Sequence, residues 1–350
     1  MRPHRARSRA VSLVLAATTA SLVLAGCSDD PATPAGTAAP TTSATPSPTP
    51  TAEPAPEPRE TWPLTGLKLE RGKSSARKHP VMVLKMDNTS SSAPQRGLGS
   101  ADLVVEELVE GGLTRLAAFF YSDIPGTVGP VRSMRSSDIG IVQPVDGAMV
   151  TSGAAPITIR RIQGAGIRFF GEGSRGFFRD SSRSAPYNLF TDMSETTELV
   201  RTKKAQRPAD YLPWGARRKL PRGRPATSLS ASFSYAHTTT WTYEGTTYRN
   251  VNTHAAADDQ FLADTVLVLR VPVGDAGYRD PAGNPVPETE LEGQGEALLL
   301  HRGRVVTARW SKASLGSTIE LRAGGEKLVV PRGNTWIELV PEATGSVTVG

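Results

Sequence analysis

The sequence predicts an N-terminal mixed α/β domain followed by a smaller, mainly β domain, and three observations carry that prediction. Over residues 62–212 helical and strand-like hydrophobic periods alternate along the chain. Around Pro213 to Pro225 the chain turns basic and rich in Gly and Pro, the composition of a linker. From residue 226 to 350 short β-type runs follow one another between Gly, Asp, Asn and Pro, with no helical period of useful length.

The chain opens with Arg2, Arg5, Arg7 and Arg9, then an apolar run from Val11 to Leu24 thinned by Ala, Thr and Ser. A positive start, a short apolar stretch and small residues at Ala25-Gly26 make residues 1–26 a secretion signal, too short and too mixed to span a membrane comfortably. Cys27, the only cysteine, follows Leu24-Ala25-Gly26 directly. That arrangement resembles the bacterial lipobox, which implies cleavage before Cys27 and acylation of its thiol. Two or three acyl chains, at roughly 0.8 kcal/mol per buried methylene, hold a protein on a bilayer. Residues 27–61 are then almost wholly Pro, Thr, Ala and Ser. Such a stretch buries too little apolar surface to offset ordering entropy and reads as an extended tether.

Folded sequence begins near Trp62-Pro63-Leu64. Val81 to Asp87 reads as a buried strand ending in the polar pair Asp87-Asn88; Asp102–Val109 and Leu113–Tyr121 read as strands bounded by Gly111-Gly112 and Pro125-Gly126. Ser136 or Ser137 is placed to cap a short helix through Asp138, Ile139 and Val142. Ala148–Thr151 reads as a strand, Pro156 opens a helix through Arg161, and a helix is expected over Ser194–Lys203. In the second part, strands are expected at Ser232–Tyr235, Thr240–Tyr243, Thr246–Val251, Val266–Val271, Ala297–His301 and Val305–Trp310. Further strands are expected at Ile319–Arg322, Lys327–Val330 and Thr335–Val340. Arg302-Gly303 and Gly324-Gly325 read as hairpin turns.

Charge narrows the function classes. The net charge is +6, but four of those charges belong to the signal arginines, which leaves +2 for the exported part. No Lys/Arg-rich block with interleaved aromatics follows, so a nucleic-acid binder is disfavoured. With no thiol beyond Cys27 the folded part has no disulfide, no thiolate metal site and no cysteine nucleophile. His79, His237, His254 and His301 make no metal-ligand spacing, and the standard nucleophile-elbow, metalloprotease, P-loop and dinucleotide signatures are missing. No cofactor is expected.

Two segments concentrate residues suited to an anionic ligand. Val128 to Asp138 carries Arg132 and Arg135 with Ser133, behind a Gly-Pro turn; the planar forks of two guanidinia converge readily on one anion. The open alternative is that these arginines only brace the loop against Glu106, Glu107, Glu110 or Asp138. Phe177 to Thr191 carries Arg179, Asp180, Arg183 and Asn188 among aromatics that suit a sugar or peptide, or serve the core. Asp102, Glu106 and Glu110 fall on one strand face and Glu107 on the other, a spacing that fits paired carboxylates or a solvated strand face.

Trp-Pro-Leu-Thr-Gly at 62–66, Val-Met-Val-Leu-Lys-Met-Asp-Asn at 81–88 and Pro-Gln-Arg-Gly-Leu at 94–98 carry a resemblance, with Ala101-Asp102 and Glu-Glu-Leu-Val-Glu-Gly-Gly-Leu-Thr-Arg at 106–115. Val-Gly-Pro-Val-Arg-Ser-Met-Arg at 128–135 and Phe-Arg-Asp-Ser-Ser-Arg-Ser-Ala-Pro-Tyr-Asn-Leu at 178–189 extend it. Tyr248-Arg249, His254 and Asn334 to Pro341 continue it through the β-rich part. Together these blocks resemble the DUF3048 (YerB-like) family of bacterial lipoproteins. The resemblance implies an exported, membrane-anchored two-domain protein and names no reaction. Where Pro-His-Asn is expected, this chain has Pro-Tyr-Asn at 186–188, so no mechanism needing an imidazole there applies.

The expected function is a lipoprotein on the extracytoplasmic face of the cell membrane, held in the lipid bilayer through acylated Cys27. Its ligand is expected to be an anionic cell-wall precursor or polymer, or its partner a wall-synthesis protein. The candidate set takes Arg115, Arg132, Arg135, Arg179 and Arg183 as anion contacts. Asp87, Asn88, Ser133, Ser152, Gly153, Asp180 and Asn188 are the orienting groups, with Glu107 and Glu110 beside them. Two other readings stay open: an enzyme acting on wall glycan or a pyrophosphate-linked lipid precursor, with Glu107, Glu110 or Asp138 as base or magnesium ligand, and a structural scaffold that presents a sheet edge.

Overall fold

The structure, a computed structural model, describes residues 60–350. The signal segment, Cys27 and all but the last two residues of the expected 27–61 tether lie outside the described residues.

The first strand, β1 (Met82–Asp87), is buried along its whole length because the sheet it joins is covered on both faces. Period-two alternation sends Val83 to one face and Met82, Leu84 and Met86 to the other, into two separate apolar clusters. β2 (Leu103–Leu108) and β3 (Thr114–Phe120) follow, with β3 antiparallel to both β1 and β2. A short helix α1 (Asp138–Val142) leads to β4 (Ala148–Val150), which lies parallel to β1. Helix α2 (Pro156–Gly164) opens on its proline, and β5 (Phe169–Phe170) completes this side of the sheet. A separate three-stranded sheet is formed by Thr127–Val128, β6 (Phe177–Arg179) and β7 (Leu189–Asp192). Helix α3 (Met193–Glu198) follows, capped by Asp192 Oδ1, which accepts from Glu195 N at 3.1 Å.

The second half supplies strands to two sheets. β8 (Ser228–Ser232), β9 (Thr238–Tyr243), β10 (Tyr248–Asn250), β11 (Leu262–Ala263) and a last strand (Ser346–Val349) form a five-stranded sheet. β12 (Thr265–Val271), the hairpin β13 (Val273–Arg279) and β14 (Pro285–Thr289), then β15 (Gly293–His301) and β16 (Arg304–Lys312) follow. The β15–β16 turn is Arg302-Gly303, with φ of 47° and 69°; two successive positive φ values match the right-handed twist of a hairpin. β17 (Glu320–Ala323) and β18 (Glu326–Lys327) turn the same way through Gly324-Gly325, and β19 (Thr335–Pro341) closes the order.

Segments 62–212 and 226–350 contribute to the same twelve-stranded sheet, ordered β18-β17-β16-β15-β12-β19-β2-β3-β1-β4-β5 with Arg224–Pro225 pairing β16. The join is β19, which lies parallel to β2 on one side and to β12 on the other. Residues 60–350 accordingly form one compact unit. One face is covered by α1, α2 and Tyr211, the other by the five-stranded sheet through Phe233, Trp241 and Tyr248, which pack with Trp336.

Three expectations need correction. The run at Ser232–Tyr235 is a turn between β8 and β9, and Tyr235 is 99% exposed; its aromatic composition suggested a strand, but the ladder partners lie at Ser228–Ser232. The expected Ser194–Lys203 helix stops at Glu198, and the residue before it, Asp192, is the cap. Ser137 sits at the start of α1 without capping it; its hydroxyl accepts instead from Thr289 N at 3.0 Å.

Candidate functional site

β1, β2, β4, β12 and β19 all run the same way, so their carboxyl ends line one edge of the sheet. In open α/β sheets this is the edge outside which ligands bind. The segment Pro130–Arg132 is threaded across it: Asp87 N donates to Pro130 O (3.1 Å), Arg132 N to Lys85 O (2.8 Å) and Ser152 N to Arg132 O (3.0 Å). Met134 N donates to Gly153 O at 3.1 Å and to Thr151 Oγ1 at 3.0 Å, which fixes the loop that carries Ser133 and Arg135.

Beneath this loop lies an ionic network on one face of the sheet. Lys85 is wholly buried between Glu107, to which it donates, and Asp138 at 2.8 Å. Asp138 also accepts from Arg135 N at 2.6 Å. Glu110 binds Arg135 in bidentate fashion, Nε at 2.9 Å, and Arg115 at 3.3 Å. Arg115 donates to Ser133 O at 2.7 Å, and Arg132 pairs with Asp87 at 3.1 Å while lying 5.1 Å over the Tyr187 ring. Burial pushes the Glu107 carboxyl up, Asp138 adds to it, and Lys85 offsets only part. Burial would raise Glu110 too, but the Arg135 hydrogen bond and the Arg115 and Arg135 charges outweigh it and hold it low. Burial, with Arg135 beside it, brings Arg115 down to about 10.

An open cleft of about 490 Å³ lies above the network, lined by Ser133, Arg135, Ser152, Pro156, Tyr278 and Arg279. Ser133 and Ser152 hydroxyls meet there at 3.1 Å. Its far wall is the β13–β14 hairpin, docked on α2 by Tyr278–Thr158 (2.8 Å) and Arg161–Glu288 (2.9 Å). Sequence reasoning missed this wall. The signal available was Asp280-Pro-Ala-Gly-Asn284, a turn in which Asn284 N donates to Asp280 Oδ1 at 2.7 Å.

The structure therefore brings together Asp87, Glu107, Glu110, Arg115, Arg132, Ser133, Arg135, Ser152 and Gly153. Arg179, at the end of β6, and Asp180 and Arg183, on the β6–β7 loop, sit apart. Arg179 is bound by Glu172 and by Asn188 Oδ1 (2.7 Å), and Arg183 by Ser92 O (3.0 Å), Pro94 O (2.5 Å) and Asp180 (3.3 Å). Asn188 immediately precedes β7.

Asn88 turns to the opposite face, where a second buried cluster lies. Glu106 accepts from Asn88 (2.9 Å), Thr114 (2.7 Å), Thr239 (2.9 Å) and His237 (2.8 Å). Glu338 is its register partner on β19 and accepts from Trp241 Nε1 at 2.6 Å. Burial and then the Glu106 charge push Glu338 well above the usual carboxylate range. Burial alone would raise Glu106 as well, but the His237 hydrogen bond and charge hold it below that range. His237 is raised in return, Glu106 outweighing the effect of burial. Glu338 was also missed, although a lone charge inside the apolar run Trp336–Val340 marks it, as Lys85 is marked within β1. Among the described residues no group of His, Cys, Asp and Glu is arranged to hold a metal ion, and no helix is long and apolar enough to cross a membrane.

Comparison with known proteins agrees with this architecture. Residues 64–206 match the family described as "Protein of unknown function (DUF3048) N-terminal domain", and residues 226–337 match its C-terminal domain. The chain belongs to the DUF3048 family. It is 26% identical over 291 residues to the Bacillus subtilis (strain 168) protein named "Putative lipoprotein YerB", covering 80% of this chain and 86% of that one. The crystal structure of YerB protein from Bacillus subtilis covers 83% of this chain and 100% of its own with a TM-score of 0.68 at 23% identity, which shows the same fold.

Proposed function

We propose that this protein is anchored by acylated Cys27 on the extracytoplasmic face of the cell membrane, where the cleft at the carboxyl edge of the sheet binds an anionic envelope ligand, a wall precursor or wall polymer. The charge balance of the network carries this reading. Lys85, Arg115, Arg132 and Arg135 face Asp87, Glu107, Glu110 and Asp138, so four cations balance four carboxylates, and burial pushes the Glu107 carboxyl up, in the direction that makes the set less negative. Arg132 Nη1 stands 3.1 Å from Asp87 Oδ2, and the Ser133 and Ser152 hydroxyls stand at the cleft with no charge of their own. Glu107, Glu110 and Asp138, the groups an enzymatic reading needs as base or magnesium ligand, are each committed to a cation, which favours binding over catalysis.

Titration calorimetry with a poly(glycerol phosphate) oligomer tests the site. Ser152→Asp is expected to weaken binding at least tenfold, as is raising the salt from 50 to 500 mM. An affinity indifferent to both refutes the site. Cys27→Ser is expected to move the protein from the membrane to the soluble fraction, and retention in the membrane refutes the anchor.

A further inference from the structure

A second open cleft, of about 470 Å³, lies on the three-stranded sheet and shares no lining residue with the first. Its floor is flat. The Phe178 ring on β6 is stacked against Phe190 on β7, with centroids 6.1 Å apart and planes at 24°. The Arg183 guanidinium lies 4.9 Å over the same Phe190 ring. Phe190 is buried, whereas Phe178 is 43% exposed, so this floor presents an aromatic face that the fold itself leaves uncovered.

The polar groups around that floor are preorganised. Two carbonyls and Asp180 each hold one nitrogen of the Arg183 fork, so Arg183 offers a fixed planar face. The Asp180 side chain is itself set by Ser182, whose N–H (2.9 Å) and hydroxyl (2.6 Å) both donate to it. Arg96 is the loosely held cation of the wall: its acidic neighbour Asp258 stands 3.9 Å away, and both side chains are well exposed.

A rigid flat floor, hydroxyl and carboxylate groups at one side and a solvated cation at another suit a ligand with one apolar flat face, hydroxyls at its rim and a negative charge. We propose that this cleft binds an acidic saccharide. The sugar ring stacks on Phe178, its hydroxyls meet Ser182 and Asp180, and its acidic group meets Arg96. The choice of a sugar over another flat anion rests on the envelope location proposed above; the cleft itself does not.

The test is titration of the mature protein with the disaccharide N-acetylglucosaminyl-N-acetylmuramic acid, beside neutral chitobiose and uridine monophosphate. Phe178→Ala is expected to weaken the acidic disaccharide at least tenfold and Phe178→Trp to keep it. Arg96→Ala, at a half-exposed position, is expected to weaken the acidic disaccharide and leave chitobiose unchanged. No binding of the disaccharide at millimolar concentration, binding untouched by Phe178→Ala, or equal binding of the nucleotide overturns the proposal. Ser152→Asp reports on the other cleft alone, so the two readings fail separately.

Discussion

Glu338→Gln is expected to stabilise the protein at neutral and alkaline pH. In the unfolded chain Glu338 ionises near the ordinary glutamate value of 4.5, whereas in the fold burial and the neighbouring Glu106 keep it protonated well above that value. The native state then binds more protons than the unfolded one, so stability falls as pH rises from 4.5 toward the raised native value. The slope approaches about 1.4 kcal/mol per pH unit above 4.5 for as long as Glu338 keeps its proton. Glutamine fills the same volume, its carbonyl oxygen can still accept from Trp241 Nε1, and it carries no titrating group. Urea unfolding of wild type and variant at pH 5, 6, 7 and 8 measures the difference. Glu106, whose lowered value gives stability that is lost as pH falls through it, remains in both proteins. So does His237, whose raised value gives stability lost as pH rises through it. The gap between wild type and variant is therefore expected to open steadily with pH; a gap that stays flat, or closes, refutes a protonated Glu338.

Lys85→Met removes the cation shared by Glu107 and Asp138 while filling similar space, and leaving two buried carboxylates uncompensated is expected to cost about 3–5 kcal/mol. A loss below about 1 kcal/mol in the same urea assay refutes the pairing. Gly97→Ala places a Cβ 2.7 Å from Val128 Cγ2 at a residue with φ of +80°, so it is expected to lower stability by more than about 1 kcal/mol. An unchanged melting temperature contradicts that geometry.

What could be read from the sequence was what local patterning decides. The strands at Val81–Asp87, Asp102–Val109 and Leu113–Tyr121 fall within a residue or two of the observed bounds, because fully buried apolar runs between Gly and Pro turns have little else to become. The alternation that sends Glu106 and Glu107 to opposite faces also holds, but Glu110, expected on the Glu106 face, lies in the turn beyond β2 and joins Arg135 and Arg115 in the Glu107 cluster. Pairing across long sequence distance leaves no such mark. Nothing in Thr335–Pro341 says that it sits between β2 and β12, so Glu338 could not be placed beside Glu106 before the sheet order was known. The same limit hid the β13–β14 wall, which reaches the Arg132–Arg135 loop from more than a hundred residues away.

That long-range pairing means the two sequence segments of the family cannot act independently. Without β19, β2 would present Leu103, Val104 and Val105 at a bare sheet edge, a template for aggregation. Without the second segment as a whole, Glu106 would also lose His237 and Thr239, two of its four donors, and be left buried with a weaker claim on its charge. The buried acid pair takes one carboxylate from each segment, and the carboxyl-edge cleft takes Ser133, Arg135 and Ser152 from the first and Tyr278 and Arg279 from the second. Both polar clusters lie under the same edge on opposite faces of strands β1 to β3, so the 129–135 loop rests on the strands that also hold Glu106. The 129–135 loop and the strands beneath it are joined through backbone bonds such as Arg132 N to Lys85 O, and not through any contact between the clusters themselves.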